Sequence, residues 1–148
     1  DAERGFITVE GGILWPAVLE YLERAQQVPG WGIIQKQTGA DRLSLGGALA
    51  CNAHGRGLAL KPIVDQVESF DLLDAAGVVR TCSRGENPEL FRLAIGGYGV
   101  FGVITRVQLR LRRRVKVERV VTLAETSDLG ERFEDREPPS LVDRWECQ

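Results

Sequence analysis

Methionine is missing from this chain of 148 residues, histidine occurs once and cysteine three times. With His54 the single histidine, no multi-histidine metal site can form within the chain. Cys51, Cys82 and Cys147 are an odd set without paired spacing, so neither a disulfide framework nor a zinc site is expected, and no metal is assigned. Unpaired cysteines fit a reducing compartment, and a cytoplasmic location is the expectation. No apolar run is long enough to span a bilayer. Charge of one sign is lacking too: 19 basic against 21 acidic residues leave a net charge of -2, so no global electrostatic argument favours nucleic acid or an anionic membrane surface. The chain opens on Asp1, and with methionine absent it is expected to be a processed or excised piece of a longer protein, its targeting signals cut away.

Glycine is what the chain has in quantity: 17 residues, clustered at Gly11-Gly12, Gly46-Gly47, Gly55 and Gly57, and from Gly96 to Gly102. Such clusters mark places where something approaches the main chain closely. Composition is otherwise ordinary, 43% hydrophobic and 27% charged, which excludes global disorder or coiled coil and allows one domain-sized core. Phe6 to Glu10 predicts a strand that turns at Gly11-Gly12. Trp15, Val18, Leu19 and Leu22 recur at helical spacing around Pro16 and predict a helix closed by Pro29 and Gly30. Trp31 to Gln35 predicts a brief strand, and Gly47 to Cys51 a short helical patch inside the otherwise aperiodic stretch 36–63, the expected functional loop.

Val64 to Asp74 and Val78 to Ser83 read as a hairpin turning at Ala75-Ala76-Gly77, with Gly77 at positive φ. Asn87 as N-cap and Pro88 in the first turn predict a helix whose apolar stripe, Leu90, Phe91, Ala94 and Ile95, stops at Gly96. Val103, Thr105, Val107, Leu109 and Leu111 alternate with Ile104, Arg106, Gln108, Arg110 and Arg112, the period of a half-buried strand. A weakly amphipathic helical segment, Asp128 to Arg136, lies near the end, before Pro138-Pro139. Strands and helices mixed without a regular βα repeat give an α+β class: a largely antiparallel β-sheet flanked by α-helices.

Gly97 to Gly102 spells G-x-G-x-x-G, but a dinucleotide fingerprint needs a strand before it and a helix after it, and here the order is reversed. Thr38 to Gly55 is the most informative stretch. Its glycines and the small Ala48, Ala50 and Ala53 keep the surface low for a flat or phosphorylated ligand, and N–H groups near Gly46 and Gly47 are expected to favour an anionic group. The bland alternative is a packed glycine loop. His54 is either a satisfied structural residue or, from its setting between Asn52 and Gly55, a ligand contact. Cys51 and His54 lie three apart, a spacing that can pair a nucleophile with a base, although no third, orienting group is evident. Arg106, Arg110, Arg112, Arg113 and Arg114 predict a solvated or edge-protecting face, with a partner's acidic surface as the alternative.

In order along the chain, four blocks resemble the FAD-binding domain of the vanillyl-alcohol-oxidase, or p-cresol-methylhydroxylase, type of flavoprotein. They are Val9-Glu10-Gly11-Gly12-Ile13-Leu14-Trp15, then Leu45 to Gly55, then the Asp71-to-Thr81 hairpin, and finally Asn87-Pro88-Glu89-Leu90-Phe91 through Gly102-Val103-Ile104-Thr105. The Ala50-Cys51-Asn52-Ala53-His54-Gly55 loop is most similar to the sugar-directed branch: aldonolactone, alditol and decaprenylphosphoryl-ribose oxidases. The resemblance implies FAD as cofactor, with Gly39, Ser44, Leu45, Gly46 and Gly47 along its phosphates and ribityl chain. It places Cys51, Asn52, Ala53 and His54 close to the flavin, with His54 tuning the flavin or touching substrate, and Ile104 against the adenine end through main chain.

By the same resemblance, residues 1–124 form the larger lobe of the FAD-binding domain, without the smaller lobe whose glycine-rich loop grips the pyrophosphate and often carries a flavin-linked histidine. Residues 125–148 begin a substrate domain or linker. The implied activity is an FAD-linked oxidase or dehydrogenase that oxidises a hydroxyl of a sugar-like or alcohol substrate by hydride transfer, with an electron acceptor as second partner. Weak or no FAD retention is expected of this chain alone. A non-catalytic nucleotide- or protein-binding domain on the same scaffold is the alternative, and an autonomous Cys/His enzyme a third reading.

Overall fold

A computed structural model describes residues 1, 3–25, 30–37, 39–55, 60–116, 123, 125–128 and 130–131. The predicted helix stop at Pro29, the segment from 132 on including Phe133 and Pro138-Pro139, and Cys147 lie outside the described residues. In chain order the elements are β1 (Phe6–Glu10), α1 (Trp15–Arg24), β2 (Trp31–Ile33), α2 (Leu45–Ala50), a 3-10 turn at Ile63–Asp65, β3 (Val67–Leu73), β4 (Val79–Ser83), α3 (Pro88–Ala94), β5 (Val103–Arg113) and a second 3-10 turn at Thr126–Asp128. Every strand pairing is antiparallel, in the order β1-β5-β3-β4, with β2 paired to the last residues of β5. The fold is therefore α+β, as the mixed periodicities predict.

One face of this sheet is apolar because the alternating residues of paired strands fall in register: Ile7 opposite Leu109, Val9 opposite Val107, and Phe70 opposite both Val107 and Cys82. Trp15, Val18 and Leu22 from α1, Leu45, Ala48 and Leu49 from α2, and Phe91 and Ala94 from α3 close over the apolar residues as one core. Leu19, expected on the buried stripe of α1, stays 37% exposed. Phe91 stacks on Phe70 with ring centroids 5.5 Å apart, a pairing that contributes about 1 kcal/mol beyond its burial. On the opposite face Arg106 meets Asp71 at 3.9 Å and Arg110 meets Glu68 at 2.8 Å. Arg106 and Arg110 thus lie on a solvated face, while Arg113 stacks over the Trp31 ring at 4.1 Å. The run protects no edge, because β5 is an inner strand.

Two local expectations are corrected. Val103 and Thr105 were predicted to share the buried face of β5, yet Ile104 is inside, at 9% exposure, and Val103 outside, at 65%. Asp71 pairs with Arg106 but Leu72 with Ile104, so Thr105 is an extra residue on β5, and such a bulge shifts the alternation by one. Asn87 is no side-chain cap: it sits at φ 47°, and its amide Nδ2 donates to Thr81 O at 2.8 Å instead.

The bulge faces a junction of three elements. Gly11 N donates to Thr105 O at 2.8 Å, and Gly11 O accepts from Gly46 N at 2.7 Å. A Cβ on Gly11 would lie 2.0 Å from Ile104 O, with only main chain to move aside. We expect Gly11→Ala to cost about 3 kcal/mol by overpacking, seen as a melting temperature lower by roughly 6–12 °C for a chain of this size; an unchanged melt would remove the junction from the fold's requirements.

The hairpin supplies a pH-dependent term. Asp74 Oδ1 accepts from Ala76 N and Val78 N, both at 2.9 Å, its Oδ2 from Arg80 Nε at 2.7 Å, and Gly77 takes the expected positive φ of 76°. The Val78 amide first, then the Arg80 guanidinium, hold the Asp74 carboxyl below the usual value near 3.8. A carboxylate with a lowered folded pKa stabilises above its unfolded pKa and loses that contribution as pH falls through the folded value. The melting difference between the parent and Asp74→Asn is therefore expected to be full at neutral pH and to shrink below about pH 4; a difference independent of pH would refute the assignment.

Candidate functional site

Around the Gly11 junction lies an open trough of about 300 Å³. Its walls are the turn after β1 (Gly11, Gly12), the start and outer side of α2 (Ser44, Gly46, Gly47, Ala50), the end of α3 (Ala94), and Gly99 with Phe101 to Ile104 on the approach to β5. That volume is at the lower end of small-molecule sites. Among the described residues no charged side chain lines it, and Ser44 supplies the only polar side chain.

Tight turns build the rim. Gly97 N donates to Ala94 O, Val100 N to Gly97 O and Gly102 N to Gly99 O, while Gly96 N and Tyr98 N reach the carbonyls of Leu49 and Ala50 at the end of α2. This leaves Tyr98, Val100 and Val103 outward, at 79%, 81% and 65% exposure. The helix before and strand after these glycines are as read from the sequence.

The glycines of the trough divide by what a side chain would meet. At Gly46 a Cβ would lie 3.0 Å from Gly11 O and 3.1 Å from Ile104 O, and at Gly102 2.3 Å from Leu73 O. These positions are bare so that the chain can pack against itself. At Gly12 and Gly99 a Cβ would meet nothing within 4 Å. The expected anion-binding donors are also spent internally: Leu45 N donates to Ile13 O at 2.8 Å, Gly46 N to Gly11 O, and Gly47 N to Ser44 Oγ at 3.2 Å. The start of α2 thus offers an anion no unpaired N–H at these three residues.

Of the residues singled out from sequence, the structure brings Ser44, Gly46, Gly47 and Ile104 together in the trough. Leu45 is fully buried in the core behind it. Gly39 stands apart on an exposed turn at φ 84°. Cys51 to His54 leave the far end of α2 and form a separate segment: Asn52 Oδ1 accepts from Val64 N at 3.4 Å, and Ala53 O accepts from Ile63 N at 2.8 Å. His54 is exposed, with Nδ1 3.0 Å from Gly55 O, and Cys51 Sγ donates to Ala48 O at 3.5 Å. The two side chains thus engage different carbonyls, and no nucleophile–base hydrogen bond joins them. Burial first, then the carboxylates of Asp71 and Glu86, push the Cys82 thiol above its usual range, which keeps it unreactive.

Sequence reasoning did not single out Gly11, Gly12, Ala50, Ala94, Gly99, Phe101, Gly102 and Val103 as site residues, although all line the trough. The available signal was Phe101 in a glycine-rich turn, where no periodicity assigns it to a core; Ala94 and Val103 carried helix and strand periods that pointed to packing alone. Among the described residues, no helix is long and apolar enough to cross a membrane, and no group of three or more His, Cys, Asp or Glu is placed to hold a metal ion.

An apolar trough with no charged side chain among its described lining residues has the character of a site for the planar part of a nucleotide-type cofactor. Residues 1–83 match the family described as FAD binding domain. Cytokinin dehydrogenase 4 of Oryza sativa subsp. japonica is 34% identical over 88% of this chain and 24% of its own length. Cytokinin dehydrogenase 9 of the same plant is 33% identical over 77% of this chain and 21% of its own length. An uncharacterized oxidoreductase, ORF5 in the fasciation locus of Rhodococcoides fascians, is 35% identical over 75% of this chain and 24% of its own length. The chain spans between a fifth and a quarter of the length of these relatives. By the family match over more than half its residues, the chain belongs to the FAD-binding domain family, with FAD as its cofactor.

Proposed function

We propose that this chain supplies part of the flavin cradle of an FAD-dependent oxidoreductase, with the trough holding one section of the dinucleotide. The observation that carries this reading is the uncharged trough with bare main chain at Gly12 and Gly99, in a chain of the FAD-binding family. Ser44, Gly46, Gly47 and Ile104 would hold the cofactor by main chain and one hydroxyl, and Leu45 anchors them by its burial. Gly39 and the Cys51–His54 segment would contact parts of the cofactor that extend past the trough, with exposed His54 turned to flavin or substrate. When bound, the flavin supplies the hydride acceptor; the protein contributes orientation and the exclusion of water. Residues 1–124 are proposed as one lobe of the cradle and residues 125–148 as the lead into a linker or substrate domain.

For the substrate, the relatives' names support a cytokinin. Oxidation of a hydroxyl on a sugar-like or alcohol substrate rests on the Ala50-to-Gly55 loop alone. Adding a cytokinin or an alditol to the full-length protein under anaerobic conditions separates them: the true substrate class bleaches the flavin's visible absorbance.

The cradle itself is tested with Val103→Glu, which puts a charge on the trough wall at a position exposed enough to leave the core alone. We expect FAD affinity about tenfold weaker or worse, with the melting temperature within roughly 2 °C of the parent, as for a surface change. A folded full-length protein that ignores FAD would favour the non-catalytic alternative, and unchanged affinity in the variant would place the cofactor elsewhere.

A further inference from the structure

Among the glycines that line the trough, Gly12 is the one that no described residue requires to be glycine. Gly11, Gly46 and Gly102 face backbone oxygens 2.0, 3.0 and 2.3 Å from where a Cβ would stand, and a Cβ on Gly47 would lie 3.0 Å from Ser44 Oγ, the hydroxyl that accepts from Gly47 N. Gly99 holds φ 81°, which other residues rarely adopt. Gly12 is exposed, is absent from the positive-φ positions, and a Cβ there would meet open space. Its backbone conformation and the described residues around it leave room for a Cβ.

The chemistry of the walls says what the space suits. A diphosphate calls for cationic side chains or unpaired N–H groups. Here, among the described residues, no charged side chain lines the trough, and the N–H groups of Leu45, Gly46 and Gly47 already have partners. Ala50, Ala94, Phe101, Val103 and Ile104 offer apolar surface instead, which suits an uncharged fused ring.

We propose that Gly12 is a ligand-admitting position: its bare main chain makes room in the trough for a neutral planar ring of the dinucleotide, and the fold itself does not need it. This rests on the reading of the trough as part of the FAD cradle. Both ends of FAD carry such a ring, and the experiment distinguishes them.

The full-length protein, freed of bound cofactor, and its Gly12→Val variant are titrated with FAD, riboflavin, adenosine and inorganic pyrophosphate by ligand-observed NMR, and each protein is melted without ligand. The expected result is an unchanged melt for Gly12→Val and an affinity for FAD about tenfold weaker or worse. The same loss is expected for whichever of riboflavin or adenosine the parent binds, and that one names the ring. Gly11→Ala, melting low in the same assay, marks what a structurally required glycine looks like. Equal FAD affinity in parent and Gly12→Val would overturn the role of Gly12 and leave the cradle standing, and a melt of Gly12→Val as low as that of Gly11→Ala would likewise make Gly12 structural. Displacement of FAD by pyrophosphate would overturn the ring assignment. A folded full-length protein that binds neither FAD, riboflavin nor adenosine would overturn the trough reading, and the role of Gly12 with it.

Discussion

The structure turns on a backbone crowding point where no side chain is tolerated. Gly11 donates to the carbonyl of Thr105, accepts from the amide of Gly46, and presents its vacant Cβ position to the carbonyl of Ile104 at 2.0 Å. Three segments far apart in sequence thereby meet main chain to main chain: the exit of β1, the entry of α2 and the bulged start of β5. Hydrogen bonds of this kind are obligatory once water is excluded, so the closeness that glycine allows is also what keeps these polar groups satisfied. The trough exists because these segments converge at their backbones and leave no side chains to fill the space beside them.

That origin shapes the chemistry available. The amides of Leu45, Gly46 and Gly47, which a helix start would normally offer to an anion, are consumed in holding α2 against β1. What is left is a shallow apolar surface with one hydroxyl, which orients a flat group well and has little acid–base capacity of its own. Such a surface suits a protein whose redox chemistry resides in a bound cofactor. The exposed His54 and the half-buried Cys51, set on the far side of α2, are attached to separate carbonyls, and neither completes a catalytic pair within the described residues.

Much of the fold was legible because local pattern and tertiary role coincide. The period of β5, the 3.6-residue spacing of Trp15, Val18 and Leu22, and the Gly77 turn each follow from one segment's own side chains. The errors fall where a distant segment intervenes. Ile104 rather than Val103 turns inward because the pairing partner, Asp71-Leu72, meets a strand with one residue too many. Asn87 has the residue type of a cap, but Thr81 on the neighbouring strand takes its amide. Arg106 and Arg110 on β5 were readable as solvated, whereas the inner place of that strand in the sheet was not, because strand order leaves no trace in a single strand's alternation.

The sequence by itself determined the class of fold, the positions of the glycine clusters and, through four ordered blocks, the FAD-binding family. It did so because helix and strand periods and turn residues are local properties, and motif order survives without coordinates. Only the tertiary structure decided why each glycine is there. A missing Cβ reads the same in a sequence whether its place is taken by a carbonyl oxygen, as at Gly11 and Gly46, or by open space, as at Gly12. The difference is set by what the remaining chain brings within about 4 Å, the range over which packing forces act.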